Sequence, residues 1–259
     1  MTQTVTSADG TTIAYEMVGA GPALVVLGGA FSTRRGASSL APLLAPHFSV
    51  YAVDRRGRGD STDTAPYAPE REGEDLAAVI GAIGGEAAFY GHSSGAAIGL
   101  LAAARGVPIT RLAAYEPPYT GGIVGGGKFF TAWRADVEGA LAAGDRERAS
   151  VLFMEGTGAD AETIAGMSQL PFWEGMLAVA HTLPYDLAVL GDGTVPAERF
   201  ASITVPTLVL YGGDSEAWAE SAASTIAEAI PRSRTAAIAG QTHNVDPAAI
   251  VPVLVDFFS

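Results

Sequence analysis

Short apolar runs recur along this chain at residues 23–27, 48–53, 87–90, 112–115, 207–211 and 235–239. A strand with one wet face alternates polar and apolar residues, so runs without alternation mark strands covered on both faces, as in a parallel sheet. Between the runs, residues 40–45, 69–83, 94–105, 217–230 and 247–258 carry helical patterns. The last is opened by Asp246 as N-cap and Pro247 at the first helical position. A hairpin precedes the alternation: residues 2–6 and 11–18 are rich in β-branched side chains and flank a turn at Ala8, Asp9 and Gly10. The expectation is an α/β fold, a mostly parallel sheet with helices on both faces.

The alternation breaks once, between about 117 and 202, where no strand pattern is found. Residues 121–127 form a glycine-rich, hinge-like stretch, followed by helical patterns at 129–143, 146–155 and 161–168. A helical insertion between two strands predicts a cap over the sheet edge, with residues 1–116 and 203–259 making the core. Most of the cap's aromatic and Met side chains are expected to form a satellite core. Phe129, Trp133 and Trp173 are candidates to line an apolar pocket. Residues 181–186, with His181, Tyr185 and Asp186, are a candidate substrate-contacting stretch or a proline-centred turn that ends a helix.

Composition narrows the function. With 259 residues, 48% of them hydrophobic, the chain buries about 70% of its unfolded surface and needs no staples. It has no cysteine, which excludes disulfides, thiolate metal sites and a Cys nucleophile. A net charge of −13 with 15 basic residues argues against a nucleic-acid partner. No apolar run approaches the ~20 residues of a membrane span. The first residues lack the basic and apolar segments of a signal peptide, so a cytoplasmic location is expected. Lys128 is the only lysine, which reads as a high-GC bacterial coding bias. No metal or other cofactor is expected.

The strongest chemical signal is Gly91, His92, Ser93, Ser94 and Gly95, a Gly-x-Ser-x-Gly pattern between an expected strand and an expected helix. That context places Ser93 on a tight turn at the strand's C-terminal end, with a helix N-terminus behind it whose N–H groups can stabilise negative charge. Ser94 follows the nucleophile and contributes a backbone N–H, while His92 packs beside the turn. A serine hydroxyl needs a base, and His is the usual one. Of His47, His92, His181 and His243, only His243 lies in a loop after a late strand, at the edge where Ser93 also lies.

These residues, with Gly28, Gly29, Ala30 and Phe31 after the third strand, the Arg- and Gly-rich stretch 54–61 opened by Asp54, and residues 206–212, follow one order along nearly the whole chain. In that set the sequence resembles the α/β-hydrolase superfamily, in the branch of small bacterial serine esterases and cofactor-free haloperoxidases. The resemblance implies an eight-stranded sheet with a helical cap inserted after the sixth strand. It also implies an oxyanion hole from the backbone N–H groups of Ala30 and Ser94, Asp54 as an organiser of its loop, and Phe31 near the substrate pocket. The family's usual His-Gly pair is here Gly28 and Gly29. In most of the family the triad acid is an Asp after the seventh strand, but the counted position holds Ser215. Asp214 lies one residue early. Glu116, before Pro117, is the favoured acid, because a residue before proline is pushed to extended backbone angles that would fix its carboxylate at the strand's end. Asp214 remains the alternative.

The expected function is a serine hydrolase acting on a small, apolar, uncharged carboxylic ester or lactone. Rival expectations on the same scaffold are a hydroxynitrile-lyase-like or C–C-bond-cleaving enzyme, and a ligand receptor that retains the triad.

Overall fold

The computed structural model describes residues 1–121 and 126–259. Eight strands form one sheet: β1 (Gln3–Thr6), β2 (Thr12–Val18), β3 (Ala23–Leu27), β4 (Ser49–Val53), β5 (Ala87–His92), β6 (Ile109–Tyr115), β7 (Thr207–Gly212) and β8 (Ser233–Ile238). Their spatial order is β1-β2-β4-β3-β5-β6-β7-β8. β1 and β2 form the expected hairpin, β2 pairs antiparallel with β4, and all later neighbours run parallel. Parallel neighbours bring the C-terminal ends of β3, β5, β6, β7 and β8 to one edge of the sheet.

Five of the six unbroken apolar runs have the anticipated cause. The last, in β8 at the sheet's edge, leaves Thr235 and Ala237 exposed, because no strand lies beyond it and only one face is packed. Along β3, Val25 and Leu27 enter one core while Leu24 and Val26 enter another on the opposite face. The same period of two divides Phe89 from Tyr90 and Val209 from Leu208 and Leu210. Each fully buried side chain of this kind stabilises the fold by about 1.5–3 kcal/mol. One face carries α1 (Ala41–Leu44) and α11 (Pro247–Phe258), the other α2 (Pro69–Ala82), α3 (Ser94–Ala104) and α10 (Ala217–Ala229). Asp246 caps α11 as expected, accepting from the Ala248 N–H at 2.9 Å.

Between β6 and β7 the described residues contain helices and no strand: α4 (Gly126–Ala142), α5 (Arg146–Gly156), α6 (Ala161–Ser168), α7 (Trp173–Val179), α8 (Leu183–Leu190) and α9 (Ala197–Phe200). The stretch read as a hinge lies mostly outside the described residues. α7, α8 and α9 are additions to the sequence reading. The segment holding His181 and Asp186 does not end a helix. A 3-10 turn at Ala180–Thr182 leads straight into α8, whose first turn accommodates Pro184 because the missing N–H there has no intrahelical partner anyway. α8 packs on α2 and α3, which explains why α3 is apolar on every side. Among the described residues no helix is long and apolar enough to cross a membrane.

Candidate active site

Ser93 is the single residue between β5 and α3 and takes φ 57°, ψ −128°. A non-glycine residue in such a region costs on the order of 1–3 kcal/mol and persists only where its surroundings over-determine it. Here the Ser93 N–H donates to Tyr115 O and its own carbonyl accepts from Ala96 N–H, both at 2.9 Å. The motif's glycines make the bend possible. A Cβ on Gly91 would lie 2.6 Å from Ala96 Cα, and one on Gly95 would lie 2.5 Å from Leu27 O. Phe31 (φ 59°), Ser93 and Glu116 (φ 46°) are the non-glycine residues with positive φ among the described residues. Each lies beyond the C-terminal end of a neighbouring strand, β3, β5 or β6.

Glu116 follows β6 directly, with its side chain fully buried. Its positive φ corrects the expectation that Pro117 would hold it extended. Tertiary bonds outweigh the local preference: the Glu116 N–H donates to Leu210 O at 2.9 Å, and its carboxylate is engaged on both oxygens. Oε1 accepts from Gly212 N–H at 2.7 Å and from the Ser215 hydroxyl, while Oε2 lies 2.7 Å from His243 Nδ1. Burial pushes the Glu116 pKa up, but hydrogen bonds from His243, Ser215 and Gly212 outweigh it and hold the carboxyl below its ordinary range. An ionised carboxylate only accepts, so the His243 proton facing it sits on Nδ1 and Nε2 is left as a proton acceptor. Asp214 is exposed, and its backbone N–H donates to Gln241 O at 2.9 Å. It has no hydrogen bond to His243.

Two side chains hold the His243 loop from below. Tyr115, just before Glu116, donates its hydroxyl to Thr242 O at 2.6 Å, and His92, just before Ser93, donates Nε2–H to His243 O at 2.8 Å. Burial, with the neighbouring His243, lowers the His92 pKa to about 4, so this ring is neutral near pH 7. The rings of His92 and His243 are 4.8 Å apart. The Ser93 hydroxyl is not hydrogen-bonded to His243 in this structure, and such bonds are often long before substrate binds.

Neither the Ala30 N–H nor the Ser94 N–H donates to an acceptor among the described residues. Both flank Ser93: a Cβ on Gly29, the residue before Ala30, would lie 2.6 Å from Ser93 Cβ. Phe31 stands edge-on to Phe153 with ring centroids 5.5 Å apart. The ring centroids of Phe129 and Trp133 are 5.7 Å apart, Trp133 and Trp173 are buried within the insertion, and His181 is half-buried. A cavity of about 270 Å³ lies beside His92 on the α1/α11 face and has Gly28, Ser32, Asn244 and Ile250 in its wall. None of the five pocket candidates lines it.

Sequence reasoning missed a buried ionic network. Asp186 at the start of α8 is 1% exposed. It pairs with Arg55 and Arg58, at 2.6 Å for the latter, and accepts from Ser94 Oγ at 2.6 Å. Arg55 also pairs with Glu72 on α2 at 2.6 Å. Burial pushes the Asp186 pKa up, but Arg55, Arg58 and Ser94 hold it below the ordinary range. The only available signal was the run of arginines in the Gly-rich stretch 54–61, which must be paired if buried. Asp54 organises its loop as expected: fully buried, it accepts the backbone N–H groups of Arg34 and Asp60 and pairs with the Arg34 guanidinium.

A strained serine after β5 and a carboxylate-bound imidazole after β8, on a sheet of this order, define a hydrolase scaffold. The family model described as the alpha/beta hydrolase family matches residues 24–253. The chain belongs to that family and is a hydrolase. It is similar to an alpha/beta hydrolase from Sphaerobacter thermophilus, with 53% identity, 99% of this chain and 100% of that chain covered, and a TM-score of 0.94. It is also similar to a hydrolase from Pseudomonas aeruginosa, at 25% identity over 99% and 97% of the two chains, with a TM-score of 0.78. An enol-lactonase from Burkholderia xenovorans shares the fold at 22% identity, over 98% of each chain, with a TM-score of 0.71.

Proposed function

We propose that the protein is a serine hydrolase that cleaves an apolar, uncharged carboxylic ester or lactone through an acyl-enzyme on Ser93. The observation that carries this reading is the 2.7 Å pairing of His243 Nδ1 with the buried Glu116 carboxylate, at the strand edge where Ser93 is held in its strained bend. Ser93 Oγ attacks the carbonyl carbon while His243 Nε2 takes the hydroxyl proton. The carbonyl oxygen becomes an oxyanion that accepts from the Ala30 and Ser94 N–H groups. Collapse breaks the ester C–O bond, and His243 returns the proton to the leaving alkoxide. Water, deprotonated by His243, then attacks the acyl carbon, releasing the acid and restoring Ser93. Glu116 holds the imidazole in the required tautomer and stabilises its cation.

The insertion, residues 117–202, acts as a cap over this edge. Phe31 with Phe153, and the Phe129–Trp133 pair, supply apolar surface for the substrate, supported by the buried Trp173. His181 contributes a half-buried polar edge. The arginines beneath the site already pair with Glu72 and Asp186, which favours an uncharged substrate.

The test is labelling by a fluorophosphonate with peptide mapping, followed by a panel of p-nitrophenyl esters, lactones and thioesters against a Ser93→Ala blank. Labelling at Ser93 and turnover abolished in the blank are expected. Turnover that survives in Ser93→Ala overturns the reading, and labelling without turnover of any ester or lactone points instead to a ligand receptor.

A further inference from the structure

The Arg58 guanidinium is fully buried and makes bonds in three directions. Nη2 pairs with Asp186 at 2.6 Å, Nε donates to Thr182 Oγ1 at 2.9 Å, and Nη1 donates to the Gly29 carbonyl at 2.6 Å. Asp186 and Thr182 belong to the insertion, and Arg58 belongs to the loop after β4. Gly29 C=O and Ala30 N–H are the two ends of one peptide unit. In a trans peptide they point in opposite directions within a rigid plane. A cation bound to the carbonyl therefore fixes the direction of the N–H and, by polarising the unit, makes it a stronger donor. Asp186 meanwhile accepts from Ser94 Oγ at 2.6 Å, which tethers the residue carrying the second N–H.

We propose that Arg58, clamped by Asp186 and Thr182 of the insertion, is a positioning residue that orients and polarises the Gly29–Ala30 peptide as an oxyanion donor. Through this contact the insertion and the oxyanion hole are one mechanical unit. The inference rests on the acyl-enzyme reading of Ser93. Arg58 touches no reacting atom; it acts on charge that appears only when the carbonyl oxygen becomes an oxyanion. Its removal therefore lowers kcat and leaves KM in place. Loss of a whole oxyanion donor typically costs ~10²–10³ in turnover, so loss of its orienting partner is expected to cost about 10- to 100-fold.

The experiment compares Arg58→Met and Arg58→Lys with wild type for ester turnover and for binding of two ligands. A trifluoromethyl ketone traps Ser93 as a hemiketal oxyanion, while the alcohol analogue of the same skeleton has no carbonyl to be attacked. For Arg58→Met, kcat and ketone affinity should fall by the same factor, with KM and alcohol affinity within about twofold of wild type. Removing this cation leaves Asp186 paired with Arg55 and hydrogen-bonded by Ser94 Oγ. If that variant does not fold, Arg58→Lys decides: it keeps a charge beside Asp186 but has no planar fork to span Asp186 and Gly29 together, and a loss in the same direction is expected. Wild-type kcat and ketone affinity in a folded variant overturn the inference, as does an equal loss for both ligands, which a general structural role would produce. If Ser93→Ala retains turnover, the acyl-enzyme reading itself is at fault. If it is inactive while the Arg58 variants match wild type, only the role of Arg58 falls.

Discussion

His243 Nδ1 lies 2.7 Å from Glu116 Oε2, although 127 positions separate the two residues. The carboxylate belongs to the end of β6, and its other oxygen is held by the Gly212 N–H and the Ser215 hydroxyl at the end of β7. A hydroxyl thus occupies the position counted for a carboxylate, and it supports the acid on the neighbouring strand.

This arrangement separates the two candidate acids kinetically. In an ester assay, Glu116→Gln is expected to lower kcat by ~10³–10⁴-fold, because the amide no longer enforces the tautomer or stabilises the imidazolium. Asp214→Asn is expected to stay within about twofold of wild type. The opposite ranking would make Asp214 the working partner.

Ser215→Ala removes one donor from the buried carboxylate. A hydrogen bond to a charged group contributes about 1.5–3 kcal/mol, so kcat should fall roughly tenfold and the pKa governing the acid limb should rise. A pH–rate profile identical to wild type would show that the Gly212 N–H suffices.

His92 makes stability depend on acidity. Its folded-state pKa is about 4, against 6.5 for the free ring. Between those values the unfolded chain binds more protons, so stability falls as pH drops from 6.5 toward 4, with no further loss from this group below that. His92→Gln retains a neutral donor toward the His243 carbonyl, and its Tm should decline less between pH 7 and pH 5. Parallel Tm–pH curves for the two proteins would contradict this.

Gly29→Ala tests the closeness of the third strand's loop to the nucleophile. The new Cβ would stand 2.6 Å from Ser93 Cβ and 3.0 Å from Ser93 Oγ. Overpacking of this kind costs about 1–3 kcal/mol. Displacing Ser93 should reduce turnover by on the order of 10²-fold. A melt with ester kinetics on the same sample checks both, and wild-type kcat would mean that the loop yields without moving Ser93.

Much of this molecule was legible because its signals are local. The unbroken runs forecast strands, covered on both faces everywhere but in the edge strand β8, and Asp246 with Pro247 marked the start of α11. Gly91 and Gly95 around Ser93 announced a bend that only small neighbours permit. Where a local rule was stretched to a tertiary question it failed: Pro117 should have kept Glu116 extended, yet φ is 46°. The stretch containing Asp186 read as a substrate contact or a helix end. Asp186 stands in the first turn of a helix and its carboxylate is spent on Arg55 and Arg58, while His181 of the same stretch is half-buried.

The sequence by itself determined the order of elements and the residues able to do chemistry, since hydrophobic period, turn residues and side-chain type act over a few neighbouring positions. Tertiary structure decided between Glu116, which the sequence favoured, and Asp214 as the partner of His243, and it alone showed that Asp186 bonds Arg58 and Ser94. Those pairings depend on which strand ends and helices lie side by side, and a buried charge goes to whichever partner packing brings within hydrogen-bond reach.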